Sequence, residues 1–157
     1  MSASLAPDLF ASPEPTWLES IRIDVSVDAH WARSRASAAA RKAGMSERDV
    51  WSVSIAAAEL ASNVLKFANG GRMHLYKFED PHCGVRMIVE DDGPGIVDIP
   101  AALADGFSEG CFIQERDGAT KLKGLGAGLG AVQRLMDTLT IENRPEGGLF
   151  VVTEKFL

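Results

Sequence analysis

The chain is short of the features that mark several protein classes, and each shortage narrows what it can do. It has two cysteines, Cys83 and Cys111, and three scattered histidines, His30, His74 and His82. That is too few thiols for a disulfide framework, and none of these side chains falls at metal-ligand spacing. Positive charge is not in excess: 16 Lys and Arg stand against 22 Asp and Glu, for a formal net charge of −6. Nucleic acid and anionic membranes need a clustered cationic surface, so neither is an expected partner, although a local basic pocket for phosphate remains compatible. No stretch is long and apolar enough to span a bilayer. The opening "MSASLAPDLFASPEP" has no basic n-region and no continuous apolar run, so it does not read as a secretory signal. The expected compartment is therefore the cytoplasm, with both thiols reduced.

What is present is an ordinary core-forming composition. The 157 residues are 46% hydrophobic and 24% charged, enough for one domain with a sizeable core. Residues 1–16 carry three of the seven prolines among small polar residues and read as a flexible tail. Residues 17–157 read as one domain, with no internal repeat and no linker. Alternation from about Ile21 to Val27 suggests a strand near a sheet edge. "DAHWARSRASAAARKAG" follows as a helix with Asp28 as cap and Gly44 as stop.

A second helix starts at Ser46 and ends at Asn69-Gly70-Gly71. Val50, Val53, Ala57, Leu60, Val64 and Ala68 form its buried stripe. "RMHLYKFE" and "GVRMIVED" read as a hairpin of two strands joined by "DPHCG". A short helix is expected near Ile99–Ala104, then a long polar loop dotted with glycine. "LGAGLGAVQRLMDTLTI" reads as a helix with Leu129, Val132, Leu135, Met136 and Leu139 inward, before a closing hairpin of two strands. Trp31 and Trp51 are expected to be packing residues, and His74 structural or solvent-facing.

Three constellations carry chemistry. Glu59 and Asn63 lie one helical turn apart; as a bland pair they are a solvated polar stripe, and as a site they offer a proton acceptor and a hard-cation ligand. "EDDGPGI" follows a strand; it reads as a turn, or as Asp91 presented to accept a hydrogen bond from an amine, with glycines allowing close approach to a flat ring. "GLGAGLG", Gly124 to Gly130, leads into a helix; it reads as a hinge, or as an anion cradle built of backbone N–H groups and the helix dipole. It follows a loop rather than a strand and lacks Gly-Lys-Ser/Thr, so it is neither a dinucleotide fingerprint nor a P-loop.

In this order the three motifs resemble those of the GHKL ATPase/kinase superfamily with its Bergerat nucleotide fold. "AAELASNV" is similar to the N box, "DDGPG" to the first glycine box and "GLGAG" to the second. Within that superfamily the chain most resembles the anti-sigma-factor serine/threonine kinases, and "GLGAGLGAVQRLMD" is close to the RsbT-type switch kinases of the stressosome. The resemblance covers about residues 20–157. It departs from sensor histidine kinases, having no dimerisation helix with a phosphorylatable histidine, and no gyrase-type transducer domain. The loop from about Gly106 to Lys123 is longer than in the shortest switch kinases.

The resemblance implies an α/β (α+β) two-layer sandwich: a mixed, mainly antiparallel sheet with helices on one face. It implies ATP and Mg²⁺ as cofactors. Asp91 would hold adenine, with Gly93 and Gly95 giving the nucleotide room. Asn63 would ligate the metal. Lys123, Gly124, Leu125, Gly126, Ala127, Gly128 and Leu129 would cradle the phosphates. Glu59 would be the base for a Ser or Thr hydroxyl on a protein substrate. Relatives place an Arg just before the second glycine box; here that neighbourhood reads Lys-Leu-Lys, so the loop's cations for the γ-phosphate are Arg116, Lys121 and Lys123. Two functions follow. One is a kinase that phosphorylates a STAS-domain protein (an anti-sigma-factor antagonist or stressosome scaffold) in partner switching. The other is a nucleotide-gated binding module that holds a sigma factor or a PP2C-type phosphatase. Partner identity and oligomeric state stay open at this stage.

Overall fold

The computed structural model describes residues 14–79, 82–104 and 128–157, and 107–108 and 111–112 as backbone. Its elements are β1 (Thr16–Ile23), α1 (Ser26–Lys42), α2 (Glu47–Phe67), β2 (Gly71–Phe78), β3 (Gly84–Asp91), α3 (Ile99–Leu103), β4 (Phe107–Ser108), β5 (Cys111–Phe112), α4 (Gly128–Leu135), β6 (Thr138–Asn143) and β7 (Leu149–Phe156). Five strands form one sheet in the order β1-β2-β3-β7-β6, antiparallel at every pairing, and β4 and β5 make a separate two-stranded ribbon. The result is the two-layer α+β sandwich the motifs imply. No helix among the described residues is long and apolar enough to cross a membrane.

Strand alternation sets which side the helices take. Met73 and Leu75 on β2, Val85, Met87 and Val89 on β3 and Val151 on β7 are buried. Against them lie Val50, Val53, Ala57, Leu60 and Val64 of α2, the stripe expected from spacing, with Val132 of α4. Helix α1 buries only alanines, Ala32, Ala36, Ala39 and Ala40. Such small side chains let a helix lie close to its neighbours and lose no rotamer freedom on burial.

The opposite sheet face sets ordered polar pairs among apolar side chains such as Phe78 and Val152. Arg86 of β3 donates from Nε to Glu154 Oε1 of β7 at 2.7 Å. Their side chains are only 6% and 16% exposed, so this is a largely desolvated ion pair. His74 joins Ser20 Oγ at 2.6 Å to Glu90 Oε1 at 3.3 Å, which fixes edge strand β1 to the sheet.

Four local expectations shift. The first strand ends at Ile23 rather than running to Val27, because Val25 caps α1 and the helix begins at Ser26. Asp28 is therefore the third helical residue and not the cap: its Oδ2 accepts the Asp24 and Val25 N–H groups, each at 2.9 Å. Those bonds hold its carboxyl below the ordinary carboxylate range. Leu139, expected on the last helix, lies on β6, because α4 stops at Leu135 and the chain re-extends at Thr138. Trp31 and Trp51 are not packing residues; they are 51% and 57% exposed. The Ser46 cap holds, its side chain accepting the Asp49 N–H at 3.2 Å.

Candidate functional site

The site grows out of the inner layer of the sandwich. Along α2, Glu59, Asn63 and Phe67 step by four residues on a stripe beside the buried one. Asn63 and Phe67 border a cavity of about 580 Å³. Among the described residues the Asn63 amide makes no hydrogen bond, so its oxygen is available there. Glu59 lies one turn earlier, beside the cavity rather than in its lining. Burial pushes the Glu59 carboxyl above its ordinary range, and the positive charge of Lys66 offsets part of that rise.

The opposing wall starts where β3 leaves the sheet. Asp91 Oδ1 accepts the Gly93 N–H at 2.9 Å and the Leu149 N–H at 3.1 Å. The turn reading and the ligand reading of "EDDGPGI" are thus compatible, since they use different oxygens. Oδ1 makes the turn and ties it to β7, while no group among the described residues donates to Oδ2. Two residues of the last hairpin brace this corner. Arg144 Nη1 donates to the Asp91 carbonyl at 2.8 Å and to Asp92 Oδ1 at 3.1 Å. The Asn143 amide is paired in both directions with the backbone of Ile96, at 2.7 Å each.

The loop and its neighbours complete an apolar chamber. Pro94, Gly95, Ile96 and Val97 line it together with Ala101 and Ala102 of α3, Gly128 and Leu129 of α4 and Leu149 of β7. A concave apolar cleft with a few polar groups, here Asn63, Asp91 and Asp98, is the usual form of a small-molecule site.

Of the expected residues, Asn63, Asp91, Gly95, Gly128 and Leu129 come together in this lining. Gly93 does not line it. A Cβ there would meet the Phe67 carbonyl oxygen and the Ala68 Cβ at 2.9 Å each, so its bareness lets the loop press on the end of α2. Gly95 has φ +75°, and the space of its absent Cβ is taken by Asn143. At both glycines the space of a Cβ is filled by protein, and Gly95 also borders the cavity. Lys123, Gly124, Leu125, Gly126 and Ala127 lie outside the described residues, as do Arg116 and Lys121.

Asn143, Arg144 and Leu149 escaped sequence reasoning. "NRPEGGL" shows only a hairpin turn; its nearness to Asp91 depends on β7 pairing with β3, Glu90 opposite Phe150. Gly148 was the available hint: at φ +93° its Cβ position coincides with the Asp91 backbone.

Comparison with known proteins agrees with this geometry. The family model described as a histidine kinase-like ATPase domain matches residues 25–153. The chain is also 32% identical over 138 residues to the serine/threonine-protein kinase RsbT of Bacillus subtilis (strain 168), covering 87% of this chain and 95% of that one. With three motifs in order and residues of each meeting in one cavity, the chain belongs to the histidine kinase-like ATPase domain family, as an RsbT-like protein serine/threonine kinase.

Proposed function

We propose that the chain transfers the γ-phosphoryl group of ATP to a Ser or Thr hydroxyl of a STAS-domain protein, in a cytoplasmic partner-switching pathway. The observation that carries the reading is the facing of an unpaired Asn63 amide and a half-used Asp91 carboxylate across one cavity. Asp91 Oδ2 would accept the adenine amine, and the apolar wall of Ile96, Ala102 and Leu149 would cover the ring. Asn63 would ligate Mg²⁺. Among the described residues no three His, Cys, Asp or Glu side chains gather into a metal cage. A single amide oxygen suits Mg²⁺, which commonly keeps water and phosphate oxygens as its other ligands. When bound, the metal would supply charge neutralisation at the phosphates.

The chain's own part in transfer is positioning and proton acceptance. The substrate hydroxyl oxygen forms a bond to the γ-phosphorus, the bond from that phosphorus to the β–γ bridging oxygen breaks, and ADP leaves. The hydroxyl proton passes to the Glu59 carboxylate. Its partial burial favours this, since a raised pKa makes the carboxylate a better proton acceptor. Gly128 opens α4, with no atom of the described residues within 4 Å of where its Cβ would lie, and Leu129 follows, at the helix end where backbone N–H groups favour an anion. The loop cations Arg116, Lys121 and Lys123 are the candidates for the γ-phosphate.

The test is to mix the chain with Mg-ATP and the STAS-domain protein encoded beside it, and to weigh that protein intact. A gain of one phosphate, lost in Glu59→Ala, is the expected result. ATP binding by calorimetry without transfer would instead favour the nucleotide-gated module that holds a sigma factor or PP2C-type phosphatase.

A further inference from the structure

Asn63, Asp91 and Asp98 are the polar side chains that line the cavity. On the proposed function Asp91 and Asn63 serve the two ends of ATP, the adenine and the metal-bound phosphates. Asp98 has no part in either. Its Oδ1 accepts the Ala101 N–H at 3.0 Å and so caps α3. Among the described residues nothing donates to its Oδ2, and no cation pairs with it. One oxygen of a cavity-lining carboxylate is therefore spare. It is also held in place. The cap ties the carboxylate to Ala101, itself a lining residue. Two residues before Asp98, Ile96 is clamped to Asn143 through both its N–H and its carbonyl. Two residues after it, the ring of Pro100 fixes φ in the first turn of α3. An acceptor restrained from both sides before its ligand arrives costs little to use.

The chemistry of that oxygen narrows what it can meet. A carboxylate accepts hydrogen bonds and donates none. Beside a triphosphate it would face like charge, which is unfavourable. Adenine donates through its exocyclic amine, and Asp91 takes that group. The remaining donors of ATP are the two vicinal hydroxyls of the ribose, which lies between the base and the phosphates. The side chains of Phe67, Pro94, Ile96, Leu129 and Leu149 around the same cavity are apolar and cannot accept from a hydroxyl. An acidic side chain on a ribose hydroxyl is also the usual device of dinucleotide sites on a different fold.

We infer that Asp98 Oδ2 accepts hydrogen bonds from the ribose hydroxyls of ATP, so that the site selects ribonucleotides over deoxyribonucleotides. This assignment rests on the ATP reading of the cavity and adds the partner of the sugar to it. Asp98 then has two separate duties, one for each oxygen: Oδ1 starts α3 and Oδ2 holds the sugar.

The experiment titrates the full chain by calorimetry, in Mg²⁺, with ATP, 2′-deoxy-ATP and 3′-deoxy-ATP. It compares wild type, Asp98→Ser and Asp98→Asn. Serine caps a helix about as well as aspartate, and its single oxygen leaves none for the sugar. Asparagine keeps the cap through its carbonyl and turns an amide N–H toward the sugar, where a hydroxyl can still accept. Wild type should bind ATP about tenfold or more tighter than at least one of the deoxynucleotides, because the missing hydroxyl leaves a positioned acceptor unpaired. Asp98→Ser should bind ATP about tenfold more weakly, bind that deoxynucleotide as wild type does, and so lose the preference. Asp98→Asn should fall between. The ratio separates this role from a structural one, since a damaged α3 would weaken all three nucleotides alike. Equal wild-type affinity for the three nucleotides would overturn the inference while the ATP reading stood. So would a preference that survives in Asp98→Ser, or an equal loss for all three in that variant. A wild-type chain with no affinity for ATP would overturn both.

Discussion

Asn143 and Ile96, 47 residues apart, are joined through both ends of one amide: the Ile96 N–H donates to Oδ1, and Nδ2 donates to the Ile96 carbonyl, each at 2.7 Å. This clamp fastens the loop after Asp91 to the end of β6 and holds one wall of the cavity proposed to bind nucleotide. Asn143→Ala should cost about 1–3 kcal/mol of stability, the usual range for freeing two backbone groups from such partners. It should weaken ATP binding about three- to tenfold, because the wall must then be ordered by the ligand. Asn143→Asp should do more harm, since it sets an acceptor against the Ile96 carbonyl. Thermal melts and ATP titration read both effects; ATP affinity unchanged in both variants would show that the wall does not need the clamp.

Asp91→Asn separates the two jobs of that side chain. Oδ1 can still accept from Gly93 and Leu149, so the variant should fold. Its other terminus becomes a donor and would meet the adenine amine donor to donor. ATP affinity should fall about tenfold or more, while affinity for GTP, whose ring carries a carbonyl at that place, should fall less or rise. Competition titration with the two nucleotides gives the ratio; a ratio unmoved by the substitution would take adenine away from Asp91.

On the proposed mechanism Glu59 must be ionised to act. Its pKa is raised from the ordinary 4.5 by burial, so the transfer rate should climb with pH through a midpoint above that value. Glu59→Gln should keep ATP binding and lose transfer by about 10²–10⁴-fold. The stability effect has the opposite sign. A carboxyl with a raised folded-state pKa contributes stability below its unfolded value, and that contribution is lost as pH rises through the folded value. Glu59→Gln should therefore melt higher than wild type near neutral pH, with the gain vanishing in acid. Melts across the pH range would show a wild-type advantage at neutral pH if this assignment were wrong.

The Arg86–Glu154 pair should behave as a buried one. Glu154→Ala leaves the Arg86 guanidinium, 6% exposed, without its counter-charge. A loss of about 3–5 kcal/mol is expected in urea denaturation. A loss below about 1 kcal/mol would mean that water reaches the pair as it reaches a surface bridge.

Much of this is legible in the amino-acid sequence. The Val50–Val64 stripe, the Ser46 cap and the Gly71–Asp91 hairpin follow from period, capping chemistry and alternation, and they recur in the fold. Glu59, Asn63 and Asp91 stand out by residue type and local spacing, and the fold brings Asn63 and Asp91 to one cavity. Trp31 and Trp51 were misjudged because composition argues that tryptophan is buried, whereas exposure depends on which way a helix turns. Leu139 was misplaced because an apolar residue in step with a helix does not reveal where the helix stops.

The sequence by itself determined the elements, the faces they bury and the order of three short motifs, because these depend on neighbours within a few residues. Tertiary structure alone decided that Asp91 is held by Leu149 and Arg144, that Ile96 is clamped by Asn143, and that Arg33 lies on Trp51. Each of these pairs is brought together by strand register or helix packing across a long sequence separation, and no local pattern in the chain records which distant residue a given backbone group will meet.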